Sequence, residues 1–447
     1  MKKLCNGSGA KGLALSGLNI SNNSKRGRKQ MLQTTRKPFE IRFDRIVWAY
    51  KSVKANKGSY GVDEVSLEAY EKDLQSNLYK LWNRLSSGSY FPQAVRRVEI
   101  AKKGGGNRPL GIPTITDRVA QAVIKRDLEI VLEPMFHADS YGYRPQRSVQ
   151  DALSQTRVRC WKYDWVIDLD IQSFFEDIPH ELLMKAVKRH TSCKWHLLYI
   201  ERWLQAPVQY ADGCLRRRDK GVPQGGVISP LLSNLFLHYC FDEWISRKIS
   251  HCPFERYADD IVIHCQTQKQ AKWVMCRLEE RFVECGLKLH SSKTKIVDCR
   301  TDKSSRKSEH QEFDFLGHTF RKRKARSKNG ECFTSYLPAV SKKSIKGIRE
   351  KLKESCVLSR VNNTLKDIAR DLNPQIRGWF QSYGRFYTSE LKNQLQCING
   401  RLILWARRKY KRLRNRWKAL AWLKTLAKQQ PVLFEHWRQG VLPRVRQ

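Results

Sequence analysis

Long apolar runs are missing from this sequence. No stretch of about 18 apolar residues occurs, so no membrane-spanning helix is expected. Also missing is any Cys-x-x-Cys: the 13 cysteines are odd in number and scattered from Cys5 to Cys397. That spacing supports neither a zinc ribbon nor a disulfide framework and reads as reduced, mostly buried thiols. Acid is scarce, with 43 Asp and Glu against 85 Lys and Arg, a formal charge of +42 over 447 residues. Self-repulsion of that size calls for a polyanion. Nucleic acid is the expected partner, because no dominant amphipathic basic helix points to a membrane surface. The first 30 residues hold no acid, and their weakly apolar segment, Leu13 to Ile20, is too weak for a secretory signal. A cytoplasmic protein is expected, nucleoid-associated in a bacterium, although a basic, Ser-containing, acid-free start also suits an organellar presequence.

What is present suffices to fold. Hydrophobic residues make up 40%, with 13 Trp, 16 Tyr and 17 Phe, enough for two or three domains with substantial cores. The chain is organised around Phe254 to His264, which reads as a β-hairpin carrying Asp259 and Asp260 near its tip. Adjacent carboxylates resist joint ionisation unless a divalent ion, a proton or basic neighbours compensate. Mg²⁺ suits such a pair, because it takes hard oxygen ligands from one or two carboxylates plus substrate phosphates; a solvated turn is the plain alternative.

Taken in order, a basic arm leads to helical patterns from Phe39 and over Ser66 to Leu85, then a strand within Ser89 to Ile100. Lys102-Lys103-Gly104-Gly105-Gly106-Asn107-Arg108-Pro109 reads either as a phosphate-contacting loop or as a hairpin turn. A helix is expected over Thr116–Leu132 with Thr116 as N-cap. Trp165 to Ile171 reads as a buried strand whose Asp168 and Asp170, two apart, share one face. Acids on an apolar strand need compensation, by metal or ion pair. Phe174-Phe175 is either core packing or part of a site beside Asp170, and His180 reads as a surface residue at a helix start. Gly221 to Gly226 is a turn whose Gln224 either solvates the chain or faces a substrate. A helix over Lys269–Cys285 ends at Gly286. Arg321 to Lys328 holds six cations in eight residues, a solvated loop or a phosphate grip. Beyond Ser341 the pattern is helical. Residues 401 to 447 carry 14 Lys or Arg against Glu435, with tryptophans at 405, 417, 422 and 437, which suits packed helices with a phosphate-binding face and base-stacking side chains.

These segments together resemble the reverse transcriptases encoded by group II introns, the maturase family. The resemblance rests on Gly106-Asn107-Arg108-Pro109-Leu110-Gly111-Ile112-Pro113, Asp170-Ile171-Gln172-Ser173-Phe174-Phe175, Val222-Pro223-Gln224-Gly225, Tyr257-Ala258-Asp259-Asp260, Gly286-Leu287-Lys288-Leu289 with Lys293, Phe315-Leu316-Gly317, and Ile376-Arg377-Gly378-Trp379-Phe380. It implies an α+β right-hand polymerase, with fingers and palm on a small antiparallel sheet followed by an all-helical thumb. The implied layout is an arm over 1–38, fingers and palm over 39–320, a basic linker over 321–340, a thumb over 341–410 and a short basic segment over 411–447.

The implied chemistry is RNA-directed DNA synthesis. Asp170, Asp259 and Asp260, with the Ile171 carbonyl, would hold two Mg²⁺ ions. Lys102, Lys103, Arg108 and Lys293 would contact the nucleotide, Gln224 would line its pocket and Phe175 would sense its sugar, with Asp168 off the ligand position. The implied partners are a group II intron RNA, an RNA template with DNA or RNA primer, dNTPs and a DNA target; a homodimer stays open. RNA would engage Arg407, Arg408, Lys409, Lys411 and Arg412. The chain lacks the Cys- and His-bearing endonuclease cluster of many members, and its basic segment after the thumb is short, so second-strand cleavage and autonomous target invasion are not expected. Two other readings stand beside this one: a splicing factor with a vestigial polymerase, against which the intact aspartates speak, and a domesticated reverse transcriptase in phage defence or DNA repair.

Overall fold

Period-2 alternation along Trp165–Leu169 divides the centre of the molecule into two faces. The computed structural model describes residues 37–101, 107–301, 308–326, 329–355 and 361–444; the arm through residue 36, and Lys102 and Lys103 with their glycines, lie outside the described residues. In the palm, β3 (Trp165–Leu169), β7 (Phe254–Tyr257), β8 (Asp260–Cys265) and β10 (Lys295–Asp298) form an antiparallel sheet of order β10-β3-β8-β7. Trp165, Ile167, Leu169, Ile261 and Ile263 face the main core, which includes helices Ser229–Leu237 and Gln268–Glu284. Val166, Val262 and Val297 face a second core with Tyr141, Leu153, Phe313 and Phe320. A strand buried on both sides reads as an almost continuous apolar run.

The fingers carry β1 (Val95–Ala101) and β2 (Asn107–Ile112) as an antiparallel hairpin, extended by β5 (Val208–Gln209) and β6 (Leu215–Arg216). Helix Ile115–Leu132 is capped by Thr114, whose side chain accepts from the Asp117 N–H. The expected cap, Thr116, lies inside the helix because fully buried Ile115 belongs to it. The single helix expected over Ser66–Leu85 is two, Leu67–Lys72 and Leu74–Ser87, broken at Asp73, where φ is −119° and ψ 36°. The strand expected to run to Ile171 breaks at Asp170. There the backbone bonds sideways, its N–H to Thr294 Oγ1 at 3.3 Å and its carbonyl accepting from the His290 N–H at 2.8 Å. Beyond the break, β4 (Ile171–Gln172) pairs with β9 (Lys288–Leu289).

Most of the stretch expected as a basic linker over 321–340 is strand: residues 321–326 and 332–340 belong to a sheet of β11 (Phe313–Phe315), β12 (His318–Arg326) and β13 (Cys332–Val340). Six cations obscured the strand: His318, Thr319 and Phe320 are buried, and so is Arg323, while Lys324 and Arg326 reach solvent. The thumb consists of helices Lys342–Glu354, Leu365–Tyr383, Thr388–Lys409, Arg416–Gln429 and Glu435–Arg438. Ser341 caps the first and a Thr364/Asp367 capping box starts the second. Ile368, Leu372, Ile376, Leu395, Leu402 and Leu423 fill its core. Trp405 and Trp437 belong to that core too, and only Trp417 of these three is exposed. Among the described residues no helix is long and apolar enough to cross a membrane, and the described cysteines form no disulfide.

Candidate functional site

Leu169 stands opposite Ile261 in the β3–β8 ladder, so the next residues outward, Asp170 and Asp260, end that ladder side by side. Tyr257 faces Asp260 across the hairpin, leaving Ala258 and Asp259 as its tip, with Ala258 at φ +58°. Three carboxylates from two distant stretches therefore meet at one end of the central strand pair. Burial beneath the hairpin tip, then the charges of Asp259 and Asp170, push Asp260 up to about 7, although part of its side chain is exposed at a cleft. Asp259 is raised as well, by burial first and by Asp170 next. Asp168 is also pushed up to about 7, by burial against the opposing pull of Lys295, whose Nζ lies 3.7 Å away. Asp168 thus sits behind that end, paired to a lysine.

The compensation around these acids is cationic and incomplete. Lys293 Nζ lies 2.8 Å from Asp170 Oδ2, and Arg108 on β2 lowers the pKa of both Asp259 and Asp260 through its charge. A partly exposed pair such as Lys293–Asp170 is worth about 1 kcal/mol or less, so it yields readily to a stronger cation. Among the described residues no group of three or more Asp, Glu, His or Cys side chains is arranged to hold a metal ion by itself. Mg²⁺ does not require one: carboxylates with hard oxygen donors, completed by substrate phosphate and water, are its habitual set. The donor chemistry and the unrelieved repulsion both fit that ion.

Phe175 and Gln224 come together in a separate pocket of about 240 Å³ between fingers and palm. Phe174 is buried and stacks edge-on against half-buried Phe175, ring centroids 5.1 Å apart. The Gln224 turn is stitched to β2, its carbonyl accepting from the Gly111 N–H at 2.7 Å. Gly225 next to it has φ +126°, and a Cβ there would lie 2.6 Å from the Gly111 carbonyl oxygen, so only glycine allows this approach. Sequence reasoning missed the basic part of the lining, Arg97, Arg216, Arg217, Arg218 and Lys220. The run Arg216-Arg217-Arg218 was its available signal. Arg97 and Arg216 both stack on Tyr210, at 4.8 and 4.5 Å from its ring centre. Ile171 is buried in β4, and His180 Nε2 donates to the Gly221 carbonyl, 2.7 Å away.

A larger cleft of about 720 Å³ opens at Asp260 and runs between palm and thumb, with Asp314, Lys343, Lys351, Gly378 and Trp379 along its walls. The cations proposed for RNA lie elsewhere, around the end of helix Thr388–Lys409. Arg408, Lys411 and Arg412 are exposed there. Arg407 Nε instead donates to the Arg414 carbonyl and Lys409 Nζ to the Asn363 carbonyl, both at 2.7 Å, so these two also cap backbone.

Residues 100–320 match the family described as "Reverse transcriptase (RNA-dependent DNA polymerase)", and residues 345–422 match "Group II intron, maturase-specific domain". Protein YkfC of Escherichia coli K12 is 33% identical over 316 residues, 61% of this chain and 79% of that protein. The group II intron-encoded protein LtrA of Lactococcus lactis subsp. cremoris is 33% identical over 210 residues, 44% of this chain and 33% of LtrA, so the match spans a third of that relative's length. A telomerase from Candida albicans, in complex with a fragment of telomeric RNA, aligns over 84% of this chain and 67% of its own, with a TM-score of 0.45 and 13% identity. The reverse transcriptase match, followed in the same order by the maturase match, places this chain in the family of group II intron-encoded reverse transcriptases, the RNA-directed DNA polymerases that carry a maturase domain.

Proposed function

We propose that the chain copies RNA into DNA by nucleotidyl transfer at Asp170, Asp259 and Asp260, and that it binds a group II intron RNA to assist splicing and mobility. The supporting observation is the meeting of Asp170 and Asp260 at one ladder end, with Asp259 at the adjoining tip and Arg108 within electrostatic reach. Asp170, Asp259, Asp260 and the Ile171 carbonyl would hold two Mg²⁺ ions, which when bound favour deprotonation of a primer 3′-hydroxyl and neutralise charge on the triphosphate. Arg108, with Lys102 and Lys103, would draw the triphosphate toward the tip. Lys293 would hold Asp170 in place until substrate arrives. Phe175 would pack beneath the sugar and exclude a 2′-hydroxyl, with Gln224 beside it. The palm–thumb cleft suits a primer–template duplex, since Lys343 and Lys351 offer phosphate contacts and Gly378 leaves open space for a close approach. Arg407, Arg408, Lys409, Lys411 and Arg412 would serve the intron RNA.

The test is extension of a DNA primer on an RNA template with Mg²⁺ and dNTPs, run beside binding and splicing of a group II intron RNA. Extension by wild type and its loss in a folded Asp259→Ala variant is the expected result. Wild-type rates in that variant would remove the aspartates from the chemistry.

A further inference from the structure

The hairpin tip is held in a conformation it would not choose alone. Ala258 sits in the left-handed region at φ +58°, where a side-chain-bearing residue stays only if its surroundings over-determine it. Arg256 supplies one restraint. Its guanidinium is fully buried and bonds Asp242 twice, Nε to Oδ1 at 2.7 Å and Nη2 to Oδ2 at 2.5 Å, while Nη1 donates to Asn234 Oδ1 at 3.0 Å and to the Ala258 carbonyl at 3.2 Å. That carbonyl belongs to the peptide plane that leads into Asp259. Asn234 supplies a second restraint, its Nδ2 donating to the Gly142 carbonyl at 2.6 Å. Gly142 in turn lies flat against the tip: a Cβ there would come within 2.3 Å of the Ala258 nitrogen.

The helical side of this arrangement depends on a local irregularity. Asn234 and Asp242 are eight residues apart, which on an unbroken α-helix separates their directions by about 80°. Between them, His238–Asp242 form a π-helical turn in which the Glu243 N–H reaches back to the His238 carbonyl. A π-bulge absorbs about one residue, so the two side chains return to within roughly 20° of one face. Both then reach the same guanidinium.

We infer that Arg256, Asn234 and Asp242 are positioning residues for the metal-binding aspartates: they fix the Ala258–Asp259 peptide plane, and with it the direction of both tip carboxylates. The inference rests on the polymerase reading above. A buried ion pair alone would serve folding, and the molecule contains a comparison in Arg159, whose Nη1 bonds Glu255 Oε1 at 2.5 Å and whose Nη2 bonds Asp139 Oδ2 at 2.7 Å, also beside β7 but away from the tip.

The experiment uses the full chain and four variants. Asn234→Ala removes one bond to Arg256 and the tie to Gly142, Arg256→Lys keeps charge without the fork, Gly142→Ala pushes the tip directly, and Arg159→Lys is the control. Mn²⁺ affinity, read by electron paramagnetic resonance without substrate, and amide exchange across residues 257–260 are measured together with thermal unfolding. Partners that orient metal ligands typically contribute about 10–100-fold in metal affinity. The expected result is a loss of that size, with exchange at the tip at least ~10-fold faster, in Asn234→Ala and Gly142→Ala, and in Arg256→Lys if it folds. Arg159→Lys should unfold at lower temperature with tip exchange and Mn²⁺ affinity unchanged. Wild-type exchange and affinity in folded Asn234→Ala and Gly142→Ala would overturn the inference, as would an equal effect in Arg159→Lys. A wild-type protein that neither binds Mn²⁺ at the aspartates nor extends primers would overturn the polymerase reading instead, and the exchange measurement would still decide whether the residues hold the tip.

Discussion

Arg256 of the palm is fully buried and bonded to Asp242, Asn234 and the Ala258 carbonyl, whereas Arg408, in the last turn of a thumb helix, lies exposed. The two regions follow the same contrast. The palm encloses a paired charge, Arg256–Asp242, and a hydrogen-bonded pair, His264–Glu255, all fully buried. The thumb core is largely apolar, and residues 401 to 447 carry a net +13 by their Lys, Arg and Glu content, much of it facing water. Buried pairs demand one geometry, because breaking either partner strands a desolvated charge. Exposed cations demand none, and attract any polyanion in proportion to the phosphates they neutralise. The contrast separates a region built for position from one built for affinity.

The strongest way to break that comparison is to remove chemistry without touching affinity. Asp259→Ala should lower primer extension by more than ~100-fold, since losing even an orienting partner of a metal ligand costs about 10–100-fold. RNA affinity, measured by filter binding, should stay within about twofold, because the change removes a carboxylate and leaves every cation in place. A parallel loss of RNA binding would mean one site serves both roles.

The converse experiment acts on the thumb. Changing Arg408, Lys411 and Arg412 together to Gln should weaken intron RNA binding about tenfold and reduce the log–log salt slope by roughly 2–3, about 0.7–0.9 per phosphate contact. Primer extension on a short, saturating template should persist. Arg407 and Lys409 are better left in place, because their bonds to the Arg414 and Asn363 carbonyls would confound binding with thumb stability.

Sugar choice sharpens the palm half. Phe175→Ala should raise ribonucleotide use relative to deoxyribonucleotide use on the order of tenfold, read by parallel extensions with each nucleotide set. An unchanged ratio would return Phe175 to packing against Phe174.

The smallest effect lies in the two cores and has opposite signs. Burial, opposed by bonds from Tyr90 and Thr114, pushes Asp117 of the fingers up to about 6. The folded state keeps a proton that the unfolded chain releases near pH ~4, so this contribution is full below about 4 and is lost as pH rises to about 6. His436 of the thumb, buried with its Nε2 3.0 Å from Asn399 Oδ1, is pushed down to about 3 by burial. The unfolded chain takes up a proton below about 6.5 that the folded state refuses, so this contribution is lost as pH falls from about 6.5. Thermal melts between pH 4 and 6 should therefore slope upward with pH more steeply in Asp117→Asn than in wild type, and less steeply in His436→Gln. A difference of about 2–4 °C is expected, and equal slopes in all three proteins would show that neither group titrates as its burial implies.

Local chemistry was enough to write several elements from the sequence. The hairpin over Phe254–His264, the helix ending near Gly286 and the start of helix just beyond Ser341 each depend on residues a few positions apart, and they formed close to where they were expected. What the tertiary structure alone decided is which surface each residue meets. Asp170 reaches Asp260 only because β3 pairs with β8, some ninety residues later in the chain. The strand over 318–326 was obscured because its cations, read singly, look solvated, while the packed sheet turns Arg323 inward toward Glu390. Trp405 and Trp437, interleaved with lysine and arginine, gave no sign that they fill the thumb core. Local sequence sets backbone propensity and the order of apolar and charged residues; burial depends on the shape of a distant partner, and a side chain's neighbours exist only after the chain has closed upon itself.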